Sequence, residues 1–541
     1  MIYEKSIQTL ELPQVLEQLA EFAVSDAAKE SCRALTPLPH INDMRRDMRE
    51  TQDALSLMAT RPAPGFSGLK DITEGVSRAE RGGILHQAEL LRVAAFLRTA
   101  RDTKAWLNTD RRDDTETSID HYFKALGANK FLEERISSCI LSEDEIADTA
   151  STELASIRRQ MRAANARVRE TLHRIISSPS YSKYLQENLI TMRGDRYVVP
   201  VKVECRGSIP GLVHDVSSSG QTVYVEPTSV VEANNELRLL AGKEQKEIER
   251  ILAALSDEVA QFSEGILDDY RLLTALDVIF ARAKLALAMD AQPPTLTEDG
   301  AIVLRRARHP LLPRDTAVPI DIRVGETFDT LVITGPNTGG KTVALKTIGL
   351  LTLMAMCGLH IPAGYDSRVS VYKRVFADIG DEQSISQSLS TFSSHMTNIV
   401  GILGELNERS LVLFDELGAG TDPVEGAALA IAIIEHLRKR GARIVATTHY
   451  AELKSYALTR EGVENAACEF DLTTLRPTYR LLIGVPGKSN AFAISRRLGL
   501  SDEIVEAARA SLKTESVRFE DVLNRLERER QAMEKEREEA R

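Results

Sequence analysis

Aromatic residues are scarce in this chain: 541 residues hold one tryptophan, 14 phenylalanines and 12 tyrosines. Stacking platforms for single-stranded nucleic acid need more aromatic surface than that, so this class is set aside. The five cysteines, Cys32, Cys139, Cys205, Cys357 and Cys468, are odd in number, far apart and never arranged as C-x-x-C. Neither a disulfide framework nor a cysteine-bound zinc is expected, and a reducing, cytoplasmic compartment is. The longest apolar run, around Leu350 to Met356, falls far short of a bilayer. The opening "MIYEKSIQTLELPQ" has no basic stretch leading into an apolar one, so no targeting or membrane segment is expected. Net charge is −11. Binding is steered by local patches rather than by the sum, so an acidic total excludes no polyanionic partner.

What is present points to roughly two to four domains, as the length allows. Residues 1–150 read as successive helices with polar breaks such as "TPLPHIND" and "TRPAPGFSGL". From Leu154 apolar residues recur at intervals of three and four (Ile157, Met161, Ala164, Val168, Leu172, Ile175), which predicts a long helix ending before Pro179. The same spacing returns at Ile248, Leu252, Leu255, Val259 and Phe262. Between the two, "RYVVPVKV", "PGLVHDV" and "QTVYVEP" predict short strands, at about 190–227, borne on an antiparallel helical pair. Short apolar runs alternate with helical ones from about Ile302 to Leu500, the texture of a parallel α/β sheet. Residues 511–541 are almost entirely charged helix.

The stretch "TGPNTGGKT" contains G-x-x-x-x-G-K-[ST] complete: Gly335, Pro336, Asn337, Thr338, Gly339, Gly340, Lys341, Thr342. It follows the apolar "DTLVI" and opens the helical "TVALKTIGLLTLMAM", the strand, loop and helix context a phosphate loop requires. Glycines let backbone N–H groups approach phosphate oxygens, Lys341 reaches the terminal phosphates and Thr342 ligates magnesium. Further on, "SLVLFDELGAGTDP" ends a buried strand in two carboxylates. Asp415 is expected on the magnesium side and Glu416 as the group that orients the attacking water. A third strand, "RIVATTHY", ends at His449, a candidate sensor of the terminal phosphate on the carboxyl edge of the sheet.

Four stretches in this order, "TGPNTGGKT", "SLSTFSSHM", "LVLFDELGAGTDP" and "ATTHY", resemble the ATPase domain of the MutS family, whose sites are of the ABC type. "GAGTDPVEGAAL" and the strand-rich "GDRYVVPVKVECRGSIPGLVHDVSSSGQTVYVEP" are similar to its second bacterial branch, MutS-two. The resemblance implies a multidomain chain. A mainly helical core (1–150) is followed by lever helices with a β-rich clamp (151–300), an α/β P-loop ATPase domain (301–510) and a charged helix that begins a linker (511–541). It implies ATP and Mg²⁺, and a homodimer in which each site is completed by the partner's "SLSTF" loop, here Ser390 and Thr391. "GVPGKSNAFAISRRLGL", with Lys488 and Ser489, resembles the segment that packs across that dimer. The branch usually continues into a small nuclease-type domain, Smr. These residues contain no such segment, and endonuclease chemistry is not expected of them. The aromatic residue that stacks on adenine in mismatch-repair relatives has no counterpart near Val318.

Two partners are compatible with the resemblance: branched or duplex DNA, gripped to restrain recombination, and collided ribosomes, pried apart for rescue. Charge bears on both. The first long helix carries Arg158, Arg159, Arg162, Arg167, Arg169 and Arg174 against Glu170, a basic stripe able to lie along phosphates. In the strand module Arg193, Arg196, Lys202 and Arg206 are balanced by Asp195, Glu204, Asp215 and Glu226, which suits a mixed protein and RNA surface somewhat better than bare duplex. An SMC-like ATPase gating a coiled-coil ring is the alternative, disfavoured by short arms and a strand-rich tip.

Overall fold

Apolar runs of five residues in the C-terminal third form strands buried on both faces. In the computed structural model, which describes residues 2–108, 116–335, 339–380, 391–471, 476–487, 492, 495–496 and 499–511, they build the centre of a six-stranded sheet. Its strands are β1 (Thr330–Thr334), β2 (Arg374–Asp378), β3 (Ser410–Phe414), β4 (Arg443–Thr448), β5 (Val463–Asp471) and β6 (Arg476–Ile483). They lie in the order β2-β3-β4-β1-β5-β6, parallel except for the antiparallel β5–β6 pair. Side chains alternate across the pleat. Leu331, Ile333, Leu411, Leu413 and Val445 enter one core; Val332, Val412, Phe414, Ile444 and Ala446 enter the other. That double burial is why these runs are apolar throughout rather than alternating.

Helices α1 (Ile2–Thr9), α2 (Leu12–Phe22), α3 (Lys341–Met356), α4 (Thr391–Glu405), α5 (Pro423–Lys439) and α6 (Ala451–Thr459) flank this sheet. The apolar side of α2, Leu12, Val15, Leu16 and Leu19, is buried in the same core as α3, where Leu345, Ile348 and Leu351 sit. Ile399 and Ile402 of α4 and Ile433, Ile434 and Leu437 of α5 pack on the opposite face. A four-stranded sheet, ordered Thr295–Thr297, Arg368–Ser370, Ile302–Ala307 and Ile320–Val324, adjoins it.

All of this lies in one compact unit, Met1–Ala63, Arg112–His121 and Thr274–Arg541. A second unit comprises Pro64–Arg111 and Tyr122–Leu273. Residues 1–150, expected as one helical core, are thus divided, because the first helices bury their apolar stripes in the α/β core.

In the second unit a 26-residue helix, Thr152–Ser177, and a 34-residue helix, Thr228–Gln261, pack side by side. Arg167 pairs with Glu236 and Arg158 with Glu244; numbers rise on one helix as they fall on the other, so the two run antiparallel. At 1.5 Å per residue they are about 39 and 51 Å long. The second begins about twenty residues before the apolar run that announces it. Between them strands Thr191–Arg193, Arg196–Lys202, Thr222–Pro227 and Gly211–Val216 pair antiparallel in that order. Val199, Val201, Val223 and Val225 share a core with Val168, Leu172 and Val230 of the helices.

Candidate active site

Adjacent strands β3, β4 and β1 end at one edge of the sheet, and a loop after each carries one of the expected groups. After β1 the chain turns through Gly335 (φ 136°) and Gly340 (φ 90°) into α3. Gly340 has a left-handed φ that favours glycine, and a Cβ there would lie close to Tyr479, 3.1 Å from its Cδ1. Pro336, Asn337 and Thr338 lie outside the described residues; Gly339 is buried immediately before the helix.

Lys341 is 2% exposed and donates from Nζ to the Gly335 carbonyl at 2.9 Å. Burial pulls the pKa of its ammonium below the ordinary lysine value, against the opposing pull of the Glu416 and Asp415 carboxylates. An ammonium held in a dry loop beside acids is poised for phosphate oxygens.

Thr342 Oγ1 donates to Asp415 Oδ2 at 2.6 Å. The pair places a hydroxyl and a carboxylate oxygen side by side, a donor set that magnesium accepts together with substrate phosphates and water. Among the described residues no group of three or more His, Cys, Asp or Glu forms a metal cage, and a site of this kind needs none. The other Asp415 oxygen accepts from the Thr447 hydroxyl, which in turn accepts from the Glu416 amide at 2.8 Å. Glu416 itself is half-buried, with φ 48°, a left-handed conformation costly for a residue with a Cβ.

The loop beyond is tightly held. Gly418 (φ 87°) passes so close to Gly426 that a Cβ would meet its carbonyl oxygen at 2.4 Å. Tyr450 donates its hydroxyl to the Gly418 carbonyl at 3.0 Å, and Asp422 caps α5 by accepting from Val424 and Glu425. His449 is exposed just after β4, its ring 4.7 Å from that of Tyr450. Thr391 is the first residue of α4; Ser390, Lys488 and Ser489 fall outside the described residues.

Residues 331–515 match the family model for MutS domain V, a span that takes in Lys341, Thr342, Asp415, Glu416 and His449. The protein named Endonuclease MutS2 of Alkaliphilus metalliredigens is 51% identical over 537 residues, 99% of this chain and 68% of the relative. The chain belongs to the MutS2 family.

A MutS2 relative from Acetivibrio thermocellus is 52% identical over 526 residues, and one from Ruminiclostridium cellulolyticum 50% over 527. The chain spans 66% of the length of each of these two.

Within this MutS2 chain a cavity of about 330 Å³ lies beside α3, walled by Val318, Val343, Thr347, Cys468 and Tyr479 among others. Tyr479, from β6, thus stands across this cavity from the Val318 segment, which has no aromatic residue of its own. Thr447, which holds Asp415 and Glu416, escapes a reading of the motifs although it lies inside the stretch "ATTHY"; Tyr479, on the cavity wall, lies in no motif.

Half of the expected basic stripe is paired with acids of the same unit. Arg158 donates to Glu244 at 2.7 Å, Asp148 at 2.7 Å and the Ile146 carbonyl at 2.6 Å. Arg162 also pairs with Asp148, and Arg167 with Glu236. In the module Arg196 binds Glu226, which is 0% exposed and also accepts from Asn234 and meets His214. Arg193 lies over the Tyr224 ring and pairs with Asp215; Lys202 reaches the Lys183 carbonyl. Arg159 and Arg169 are exposed, with Arg169 near the Tyr197 ring, and exposed Arg174 reaches only Thr171 on its own helix among the contacts described. No helix among the described residues is long and apolar enough to cross a membrane.

Proposed function

We propose that this chain hydrolyses ATP and uses the cycle to close a homodimeric clamp on a nucleic-acid assembly. The observation that carries the proposal is the 2.6 Å bond from Thr342 to Asp415. It brings the phosphate loop and the acid-bearing strand to one point, with Lys341 beside them. Bound magnesium would supply charge neutralisation at the terminal phosphates. Lys341 exchanges the Gly335 carbonyl for phosphate oxygens. Glu416 orients the attacking water and accepts its proton, and His449 hydrogen-bonds the terminal phosphate. The cavity beside α3 takes the base against Tyr479. Ser390 and Thr391 of a second copy complete the site.

The helices Thr152–Ser177 and Thr228–Gln261 act as lever, and the module at 190–227 as clamp. The assembly gripped is branched or duplex DNA or the rRNA-rich surface of a ribosome. Internal pairing of Arg193 and Arg196 favours a mixed protein and RNA surface over bare duplex, whose binding rests on free cations. The deciding experiment has two parts. Glu416→Gln should bind ATP yet turn it over on the order of 10²-fold more slowly; near-normal turnover removes Glu416 from its role. Sedimentation with ribosomes and with four-way DNA junctions, across a salt series with a non-hydrolysable ATP analogue, then distinguishes the partners.

A further inference from the structure

Asp378 is the last residue of β2, an edge strand of the six-stranded sheet. It stands opposite Phe414 in the parallel register, and its carbonyl accepts from the amide of the next residue, Asp415, at 2.9 Å. The β2–β3 ladder is thereby carried one bond further, into the acid pair itself. The Asp378 side chain faces a different element. Its carboxylate is buried, with Oδ2 2.8 Å from His395 Nδ1 and Oδ1 accepting from Asn398 Nδ2 at 2.8 Å. His395 and Asn398 are three residues apart on α4 and share a face. His395 lies about one turn after Thr391, with which that helix opens.

We propose that Asp378 is a positioning residue: its main chain sets the acid end of β3 while its carboxylate fixes the start of α4, so that the two move as one body. This rests on the ATPase reading above, in which the start of α4 meets the partner's nucleotide.

Apolar packing already attaches α4 to the sheet, through Ile399 and Ile402 against Phe376 and Val412. Such contacts tolerate small slips. Two directed bonds to one buried carboxylate do not, because a shift that breaks either leaves a buried polar group unpaired. The outer edge of β2 is backed as well: Ala377 N donates to Ser6 Oγ of α1 at 3.0 Å, and Tyr3 packs edge-on against Phe376. With β2 held from outside, a displacement at the start of α4 passes through Asp378 to the Asp415 main chain, and so to the carboxylate that Thr342 contacts.

The test uses the full chain and compares His395→Leu with His395→Asn, whose amide nitrogen can take the place of Nδ1. Steady-state kcat and KM, binding of a fluorescent ATP analogue and thermal unfolding are read for each. His395→Leu should lose about tenfold or more in kcat, with KM and nucleotide affinity within about twofold, since a misplacement of about 1 Å is enough. His395→Asn should return kcat to within about threefold of wild type. A His395→Leu protein that is less heat-stable yet keeps its kcat at a temperature where it is folded overturns the proposal, as does failure of asparagine to restore turnover. If His395→Leu does not fold, Asn398→Ala takes its place with the same kcat and KM expectation, and unchanged turnover there is equally fatal. A wild-type protein without ATP turnover would overturn the ATPase reading itself, a result separable from any of these.

Discussion

Thr447, on β4, donates its hydroxyl to the carboxylate of Asp415, just past the end of β3. The same oxygen accepts from the amide of Glu416 at 2.8 Å, so one threonine orients both members of the acid pair from the neighbouring strand. Thr447→Val keeps shape and β-branching but leaves one donor and one acceptor unmatched. Turnover should fall about tenfold to a hundredfold with nucleotide affinity nearly unchanged, the mark of lost positioning. Equal loss in binding and turnover would mean that Thr447 merely supports the fold.

Tyr479 walls the cavity beside α3 and closes on Gly340. If it receives the base, Tyr479→Ala should raise the KM for ATP about twofold to tenfold, the size of a lost stacking contact, and leave kcat within about threefold. Tyr479→Phe should behave as wild type. An unchanged KM in the alanine variant places the base elsewhere.

Glu435 on α5 shows how pH should act on stability. Tyr456 donates to it at 2.6 Å and Arg460 at 2.8 Å, and these bonds, the tyrosine's first, hold its carboxyl down to about 2. A carboxyl lower in the folded than in the unfolded chain stabilises above the unfolded value, about 4.3, and the contribution is lost as pH falls toward the folded one. Glu435→Gln should therefore cost about 1 kcal/mol at pH 7, allowing for solvent screening. Urea titrations should show the gap to wild type closing below about pH 4.3. A constant gap from pH 7 to pH 3 would deny the ionised pair its role.

The arginines of the long helix should separate into two kinds. Arg158, with Asp148 and Glu244, is 20% exposed in its side chain; Arg158→Gln should destabilise the second unit by about 1–3 kcal/mol. Changing Arg159, Arg169 and Arg174 to Gln should spare stability and weaken nucleic-acid binding, lowering the salt slope by roughly one per lost phosphate contact. Thermal unfolding and a salt titration distinguish the two, and an unchanged slope in the triple variant would clear this helix of phosphate contacts.

Replacing residues 190–227 by a short Gly/Ser turn should leave basal ATP hydrolysis nearly intact, because no member of the phosphate site lies there. Stimulation by ribosomes or DNA should be lost. Retained stimulation would point to docking elsewhere.

By itself the sequence determined whatever depends on neighbours in the chain. The phosphate loop is legible because Gly335 to Thr342 must be contiguous to wrap a phosphate. The strands are legible because burial on two faces requires unbroken apolar runs such as Leu411 to Phe414. The helical pair and the strand module were legible from period three-and-four and from valine-rich runs. Tertiary structure alone decided what depends on residues brought together from far apart. Arg158 looks like a free cation until Asp148 and Glu244 are seen to face it. The first two helices look like part of a separate core until their stripes are found in that of α3. Asp378 and Tyr479 carry no motif, because a hydrogen bond or ring contact across strands constrains a position in space and not a spacing in sequence.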